Sequence, residues 1–371
     1  MIVELPVPTV VDFGAGLLEK LGGYTSRHGG RVLLVTGRTG ARKHGITERA
    51  VRSIAAAGAE SVVFEGISAN PRAEEVDAAA RAGADCDVIV GLGGGSAIDA
   101  AKAVSAVLGL GCPAAQLVGV TLDPGAVLRP VVAVPTTCGS GSEVTKGAIV
   151  TDPVRRLRAG IRGEQLFPKV ALVDPELTRT LPRDALLDSV FDAFAHAVEG
   201  YVAGAATIES RERSVRALEL IVSRIDEAAH GADSPELRAD LSLAALLGGA
   251  NVATVSTCLP HRLQQAMGSV PGLDVSHGRG LALLYPAWVR ATAPFAPQLF
   301  DALAPRLAAD TAAEGIDGLL VRAGIGGRLR DHGIRAADID TMIAGVTGNL
   351  DNDPSPRTDE AHLRGIYEAA F

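Results

Sequence analysis

The sequence predicts an α/β chain: an N-terminal domain with a Rossmann-like parallel sheet over residues 1–181, followed by an all-helical C-terminal domain over residues 182–371. Three observations carry this expectation. Short β-branched runs alternate with helical patterns through the first half. The second half turns Ala- and Leu-rich, with few strand-like runs. Between them in character, three consecutive glycines join a strand candidate to a helix candidate.

Taken in order, Arg31–Thr36 (RVLLVT), Ser61–Glu65 (SVVFE), Asp87–Gly91 (DVIVG) and Pro130–Val134 (PVVAV) read as strands. Ile46–Ala57, Ala73–Ala84 and Ala97–Leu108 carry apolar residues at helical spacing between them. A β-α-β-α order implies a mostly parallel sheet covered by helices, and ligands of such sheets bind at the carboxyl ends of the strands. Ala185–Tyr201, Ser210–Ala229 and Pro235–Asn251 read as long helices. The boundary is expected near Pro182, and the cleft implied between an α/β half and a helical half is a common place for chemistry. Asn349–Thr358 (NLDNDPSPRT) reads as a polar, proline-containing loop.

Composition removes several function classes. With 47% hydrophobic and 21% charged residues, the 371-residue chain is globular and long enough to bury a large core. Lys and Arg number 35 against 43 Asp and Glu, a net charge of −8 without a basic tract, which excludes nucleic acid as the main partner. Cys86, Cys112, Cys138 and Cys258 form no CxxC pair, arguing against disulfides and thiolate zinc and for a reducing compartment. The segment Met1–Pro6 lacks the basic start and apolar run of a signal peptide. The uncharged stretch Ala103–Leu122 is interrupted by Gly109, Gly111 and Pro113, so it reads as helix end, turn and loop and not as a membrane span. The expectation is a cytoplasmic protein with no membrane partner.

Two segments are rich in donors for phosphate. Val88–Asp99 (VIVGLGGGSAID) runs from strand through glycines into a helix. Amides at a helix N-terminus carry partial positive charge, and glycine lets a ligand approach the main chain. The pattern follows the third strand and does not match GxGxxG, so an ordinary Rossmann enzyme is disfavoured. Val134–Thr145 (VPTTCGSGSEVT) crowds hydroxyl and amide donors directly after another strand. Taken alone, the first also reads as a tight βα turn, although three consecutive glycines exceed what a turn requires and Ser96 adds a hydroxyl donor; the second is equally a solvated Ser/Thr loop. Cys138 has no close basic neighbour to make it a nucleophile.

A third constellation suits a cation. Asp192 and His196, four residues apart on a helix, share one face. His261 and His277 sit in LPHRL and VSHG. One carboxylate with three imidazoles suits Fe²⁺ or Zn²⁺ and leaves a coordination position for substrate. His28, His44, His230, His332 and His362 lie in polar settings and are expected at the surface.

The segments GGGSAIDAAK (Gly93–Lys102), PTTCGSGSEVT (Pro135–Thr145), DAFAHAVEGY (Asp192–Tyr201) and HGRGLALLYP (His277–Pro286) resemble those of the iron-containing, or group III metal-dependent, alcohol dehydrogenase family, which is related in fold to dehydroquinate synthase. The resemblance covers nearly the whole chain. It implies NAD(P) on the α/β domain, a divalent metal on the helical domain, and a homodimer. It places the metal on Asp192, His196, His261 and His277, with His261 and His277 also counted as catalytic. It places the pyrophosphate on Gly94, Gly95 and Ser96 of the segment that includes Asp99. Thr136, Thr137, Ser140 and Ser142 fall on ribose- and adenine-lining positions, and Arg158 and Thr178 on further cofactor-lining positions.

Departures from the family pattern matter. Gln265 stands where many members carry a second histidine that relays a proton, and it cannot titrate. Gly37 stands where NAD-preferring members often have Asp. Without that carboxylate, Arg38 or Lys43 is available to a 2′-phosphate, which leans the cofactor toward NADP. The Gly268–Ser276 loop (GSVPGLDVS) is unusual and would border the substrate. The implied function is hydride transfer between NAD(P) and a small alcohol, aldehyde or ketone. Open alternatives are a maleylacetate or phosphonoacetaldehyde reductase, oxidation of a hydroxy-amino-acid terminus of a peptide, a sugar-phosphate cyclase, and an inactive scaffold.

Overall fold

In the computed structural model, which describes residues 1–371, the β-branched runs of the first half assemble into one seven-stranded sheet. Its strands are β1 (Ile2–Val3), β2 (Val10–Phe13), β3 (Arg31–Gly37), β4 (Glu60–Ile67), β5 (Val88–Gly93), β6 (Val131–Pro135) and, after a separate hairpin of β7 (Gly147–Asp152) and β8 (Leu157–Arg162), β9 (Val170–Val173). The order is β1-β2-β9-β6-β5-β3-β4. All neighbours are parallel except β1, which pairs antiparallel with β2 at the edge.

Period-two alternation sorts the core into two layers. Val32 and Leu34 of β3, with Val88, Val90 and Val132, pack against Leu21, Ile46, Ala50 and Ile54. Leu33, Val35 and Ile89 face the other way, onto Val76, Ala79, Ala100 and Val104. Each such fully buried Val, Leu or Ile contributes about 1.5–3 kcal/mol of hydrophobic stabilisation, an upper figure because unfolded chains are partly compact. Covered on both faces, β5 is buried along its whole length. From β3 the chain goes first to β4 on one side and then to β5 on the other, which makes a topological switch point at the carboxyl ends of β3 and β5.

The structure refines the expected elements. β5 runs to Gly93, and its helix spans Gly95–Leu110, beginning two residues before the predicted Ala97. The hairpin β7–β8 lies outside the expected elements because its apolar runs are short: Ala148–Val150 is only three residues long, and Leu157–Arg162 is broken by Arg158 and Gly160 beyond the Pro153–Arg156 turn. β9 is only four residues long and gives too short a run to stand out.

Two compact units divide the chain: Met1–Thr137 with Gly141–Leu181, and Pro182–Phe371 with Cys138–Ser140. Long helices dominate the second, among them Arg183–Val202, Ile208–Ala229, Pro235–Val255, Leu259–Met267 and His277–Thr292. Their starts are written locally. Ser234 accepts from the Leu237 amide with Pro235 in the first turn, and Thr207 forms a capping box with Ser210. No single helix is long and apolar enough to cross a membrane. Asn349–Thr358 is a loop as expected, but Asn352, Asp353 and Ser355 within it are buried. The Asn352 amide donates to Val255 O and Thr257 O, and Asp353 accepts from the Leu259 amide and Trp288 Nε1. The loop therefore braces the segment that leads into His261.

Candidate metal centre and dinucleotide loops

Helical periodicity puts Asp192, His196 and Glu199 on one buried face of Arg183–Val202. His261 comes from the first turn of Leu259–Met267, and His277 is the first residue of His277–Thr292, whose N-cap is Ser276. These elements bring Nε2 of His196, His261 and His277 to 3.6, 3.5 and 3.4 Å from a single oxygen, Asp192 Oδ1. The ligand atoms of Asp192, His261 and His277 all lie within 4.8 Å of one another. The His196 and His261 rings stack at 4.6 Å between centroids.

This arrangement fits a cation on three grounds. First, Asp192 Oδ1 and His261 Nε2 are buried and make no hydrogen bond, an expensive state unless something else satisfies them. Second, tetrahedral bonds of about 2.0–2.2 Å put ligand atoms roughly 3.3–3.6 Å apart, the spacing seen around Asp192 Oδ1. Third, the outward-facing Nδ1 atoms are engaged. His261 Nδ1 donates to Glu199 (2.8 and 2.9 Å), His196 Nδ1 to the Gly139 carbonyl (3.3 Å), and His277 Nδ1 to Gln264 Oε1. Held through Nδ1, the three rings turn Nε2 toward Asp192 Oδ1, the side on which a metal would sit.

Electrostatics agree. Burial alone would push the Asp192 carboxyl up, but His196 and His277 hold it well below the ordinary carboxylate range. Burial lowers the His196 pKa to about 4, against the pull of Asp192. His261 shows the opposite outcome: burial opposes protonation, yet Glu199 and Asp192 raise it to about 9. Two buried carboxylates thus converge on three imidazoles, a charge set that a divalent cation neutralises.

The scaffold under the ligands is equally specific. Glu199 also accepts from the Cys258 amide (2.6 Å) and the Tyr285 hydroxyl (3.3 Å). Tyr285 in turn packs edge-on to Phe191 and beside Trp288. Gly139 approaches so closely that a Cβ there would meet Ser189 O at 2.4 Å, and one on Gly278 would meet Asp188 O at 1.7 Å. Glu199 lies within the DAFAHAVEGY motif but has no role in the expected ligand set, and Gln264 lies outside every expected site. The 192, 196, 199 spacing was the available signal for Glu199. Gln265, singled out for lacking a proton, is half-buried on the same helix.

In the α/β unit the parallel sheet gathers the predicted cofactor residues at one edge. Gly37 ends β3 and Arg38 follows it, Gly94–Ser96 follow β5, Thr136 and Thr137 follow β6, and Thr178 follows β9. The Thr136 amide donates to Gly93 O (2.9 Å), and a Cβ on Gly94 would press on Thr137 Cγ2 at 3.1 Å. The first turn of Gly95–Leu110 has no side-chain cap, so amide donors sit at a 16-residue helix's positive end, a fit for a pyrophosphate. Ser96 Oγ donates to Ala69 O. Ser140 belongs to the segment grouped with the helical unit.

Other predicted residues are engaged inside the unit. Asp99 accepts from Ser142 Oγ and from the Ile149 amide (2.9 Å), with Arg158 on β8 among the charges that act on it. Lys102, fully buried, donates to Ser142 Oγ, Thr145 O and Oγ1 (each 3.0 Å) and Gly147 O (2.9 Å). This clamp fastens the donor-rich loop after β6 to the helix after β5. Thr178 Oγ1 donates to Pro175 O (2.7 Å). Arg38 is exposed and pairs with Glu75 at 2.8 Å.

Comparison with known proteins gives the same picture from an independent direction. The family model for iron-containing alcohol dehydrogenase matches residues 8–175, and that for the C-terminal region of the Fe-containing alcohol dehydrogenase family matches residues 186–371. A 1,3-propanediol dehydrogenase of Citrobacter freundii is 28% identical, covering 98% of each chain. An NAD-dependent methanol dehydrogenase of Bacillus methanolicus is 30% identical over 73% of this chain and 71% of its own. Among solved structures, a 1,3-propanediol oxidoreductase superposes with a TM-score of 0.92 at 28% identity over the full length of both chains. An iron-containing alcohol dehydrogenase of Thermotoga maritima superposes with a TM-score of 0.87 at 27% identity over 99% of each.

Proposed function

The chain belongs to the iron-containing alcohol dehydrogenase family, and from that premise we propose that it interconverts a small alcohol with its aldehyde or ketone, using NAD(P) and a divalent metal held by Asp192, His196, His261 and His277. It is an oxidoreductase acting on CH–OH groups. The observation that carries the metal assignment is the convergence of three Nε2 atoms within 3.4–3.6 Å of Asp192 Oδ1.

When bound, Fe²⁺ or Zn²⁺ supplies Lewis acidity to a hydroxyl or carbonyl oxygen, and the nicotinamide carries the hydride. The rest falls to this chain's residues. Glu199 and the Gly139 carbonyl hold His261 and His196 with Nε2 turned inward. The amides of Gly95 and Ser96, with Thr136 and Thr137 beside them, bind the dinucleotide, and Asp99, Lys102 and Ser142 keep that loop in place. Arg158 on β8 is a further cofactor-lining position of the same unit, and Thr178 shapes the turn after β9. Gln265 neither takes nor gives a proton, so it does not serve as a proton relay at that position.

The loop after β3 supports NADP as the better cofactor. Gly37 offers no carboxylate to repel a 2′-phosphate, and Arg38 presents an exposed guanidinium anchored by Glu75. The exposed edge strand β1, with Ile2 60% exposed, supports pairing of two copies as a homodimer. Four cysteines far apart in sequence, without a CxxC pair, support a reducing, cytoplasmic setting.

The test is reconstitution with Fe²⁺ or Zn²⁺, then a screen of short alcohols and aldehydes with NAD(H) and NADP(H), read at the reduced-nicotinamide absorbance. His261→Ala and His277→Ala should lose bound metal and turnover while keeping their helical circular dichroism. Full activity of either variant in the presence of chelator would refute the assignment.

A further inference from the structure

We infer that Gln264 is a positioning residue for His277, and that Gly280 is a glycine because Gln264 occupies the space its side chain would need. The inference rests on the metal-centre reading and assigns a device within it.

Of the three imidazoles, His277 is the least enclosed: its side chain is 27% exposed, against 6% for His196 and 4% for His261. Those two stack on each other, whereas His277 heads its helix and follows the Gly268–Ser276 loop. A ring so placed needs a partner to choose its tautomer and rotation. Gln264 is 2% exposed, and its Oε1 accepts from His277 Nδ1. An amide oxygen accepts and never donates, so this contact holds a proton on Nδ1 and fixes the ring with Nε2 toward Asp192, 3.4 Å away.

Gly280 shows the site is built for this contact. It lies in the second turn of an ordinary α-helix and has no left-handed backbone that would call for glycine. Alanine would favour the helix more. Its absent Cβ, however, would lie 2.9 Å from Gln264 Cγ and 3.0 Å from Gln264 Nε2. The position three residues after His277 is on the same helical face, so the same helix carries the ligand and the gap that admits the ligand's partner.

Zn²⁺ dissociation constants, measured on the full chain by competition with a chromophoric chelator, decide the matter, with thermal melts of the metal-free proteins alongside. Gln264→Leu removes the acceptor and should weaken Zn²⁺ binding roughly ten- to hundredfold. Gln264→Glu keeps an acceptor and should stay within about threefold of the parent. Gly280→Ala should weaken binding in the parent but add little in a Gln264→Ala background, where the crowded amide is gone. Equal affinity of the parent and Gln264→Leu overturns the inference, as does an equal loss in Gln264→Glu, or a Gly280→Ala effect of the same size in both backgrounds. These outcomes leave the metal-centre reading standing. A parent that binds no Zn²⁺ or Fe²⁺ overturns both.

Discussion

Gly278→Ala is the sharpest single perturbation of the proposed centre that leaves every ligand in place. The helix His277–Thr292 lies so close to Arg183–Val202 that a Cβ at residue 278 would stand 1.7 Å from Asp188 O and 2.5 Å from Asp188 C. Real Cβ atoms stay beyond 3.0 Å, so the two backbones must part by about 1.3 Å, and neither is a flexible side chain that can yield. Asp188 sits one turn before Asp192, so the separation opens between the helix that begins with His277 and the one that carries Asp192. The present 3.4 Å between His277 Nε2 and Asp192 Oδ1 would widen by a distance of the same order. Asp188 also accepts from Arg279 Nε (2.8 Å) and Ser276 Oγ (2.5 Å), so both ties around the helix start would stretch. Overpacking of this kind costs about 1–3 kcal/mol, less roughly 0.5–1 kcal/mol that alanine returns as helix propensity. A misplacement near 1 Å costs on the order of a hundredfold in turnover. Metal content per chain, kcat of the reconstituted enzyme and the melting temperature of the metal-free protein measure the three effects. Metal content and kcat within twofold of the parent at an unchanged melting temperature would refute the argument.

Two further outcomes concern the α/β unit. Arg38→Ala should raise KM for NADPH about tenfold, the equivalent of one charge-assisted phosphate contact, while KM for NADH holds; equal change for both cofactors would sink the proposed role of Arg38. Burial pushes Glu143 up to about 7, against the opposing pull of its own backbone amide and of Lys102. From pH 4.5 to about 7 the native state therefore keeps a proton that the unfolded chain has lost. The stability this carboxyl contributes is fully present below pH 4.5 and fades as pH rises through about 7, by an amount of order 3 kcal/mol. Glu143→Gln should flatten that decline in urea unfolding measured between pH 5 and 8, and a parallel pH dependence in parent and variant would count against it.

What could be read from the chain depended on whether a residue's role was set by its own neighbours or by distant ones. Donor-rich turns after β5 and β6, and the Asp192–His196 pair, are at least visible as candidates, because a phosphate or a cation demands particular residue types at short spacing; taken singly each also reads as an ordinary turn, a solvated loop or a surface pair. The partners that orient the metal ligands carry no such mark. Glu199 acquires its role only when Cys258 and His261, 59 and 62 residues later, fold onto it. Gln264 and Gln265 are adjacent and chemically identical, so only the rotation of their helix decides which of them meets His277. The same holds for the glycines. The run at 93–95 is recognisable as a turn to a helix, whereas Gly278 and Gly280 look like interruptions of a helix until the backbone of Asp188 and the amide of Gln264 are placed beside them. Asn352 and Asp353 read only as members of a polar loop for the corresponding reason: their acceptors and donors lie at Val255, Leu259 and Trp288. In this protein the residue types of the proposed ligand set are written in the sequence and their orientation is not, so substitutions that test orientation, at Gln264, Gly278 and Gly280, discriminate the proposed centre more finely than removal of the proposed ligands themselves.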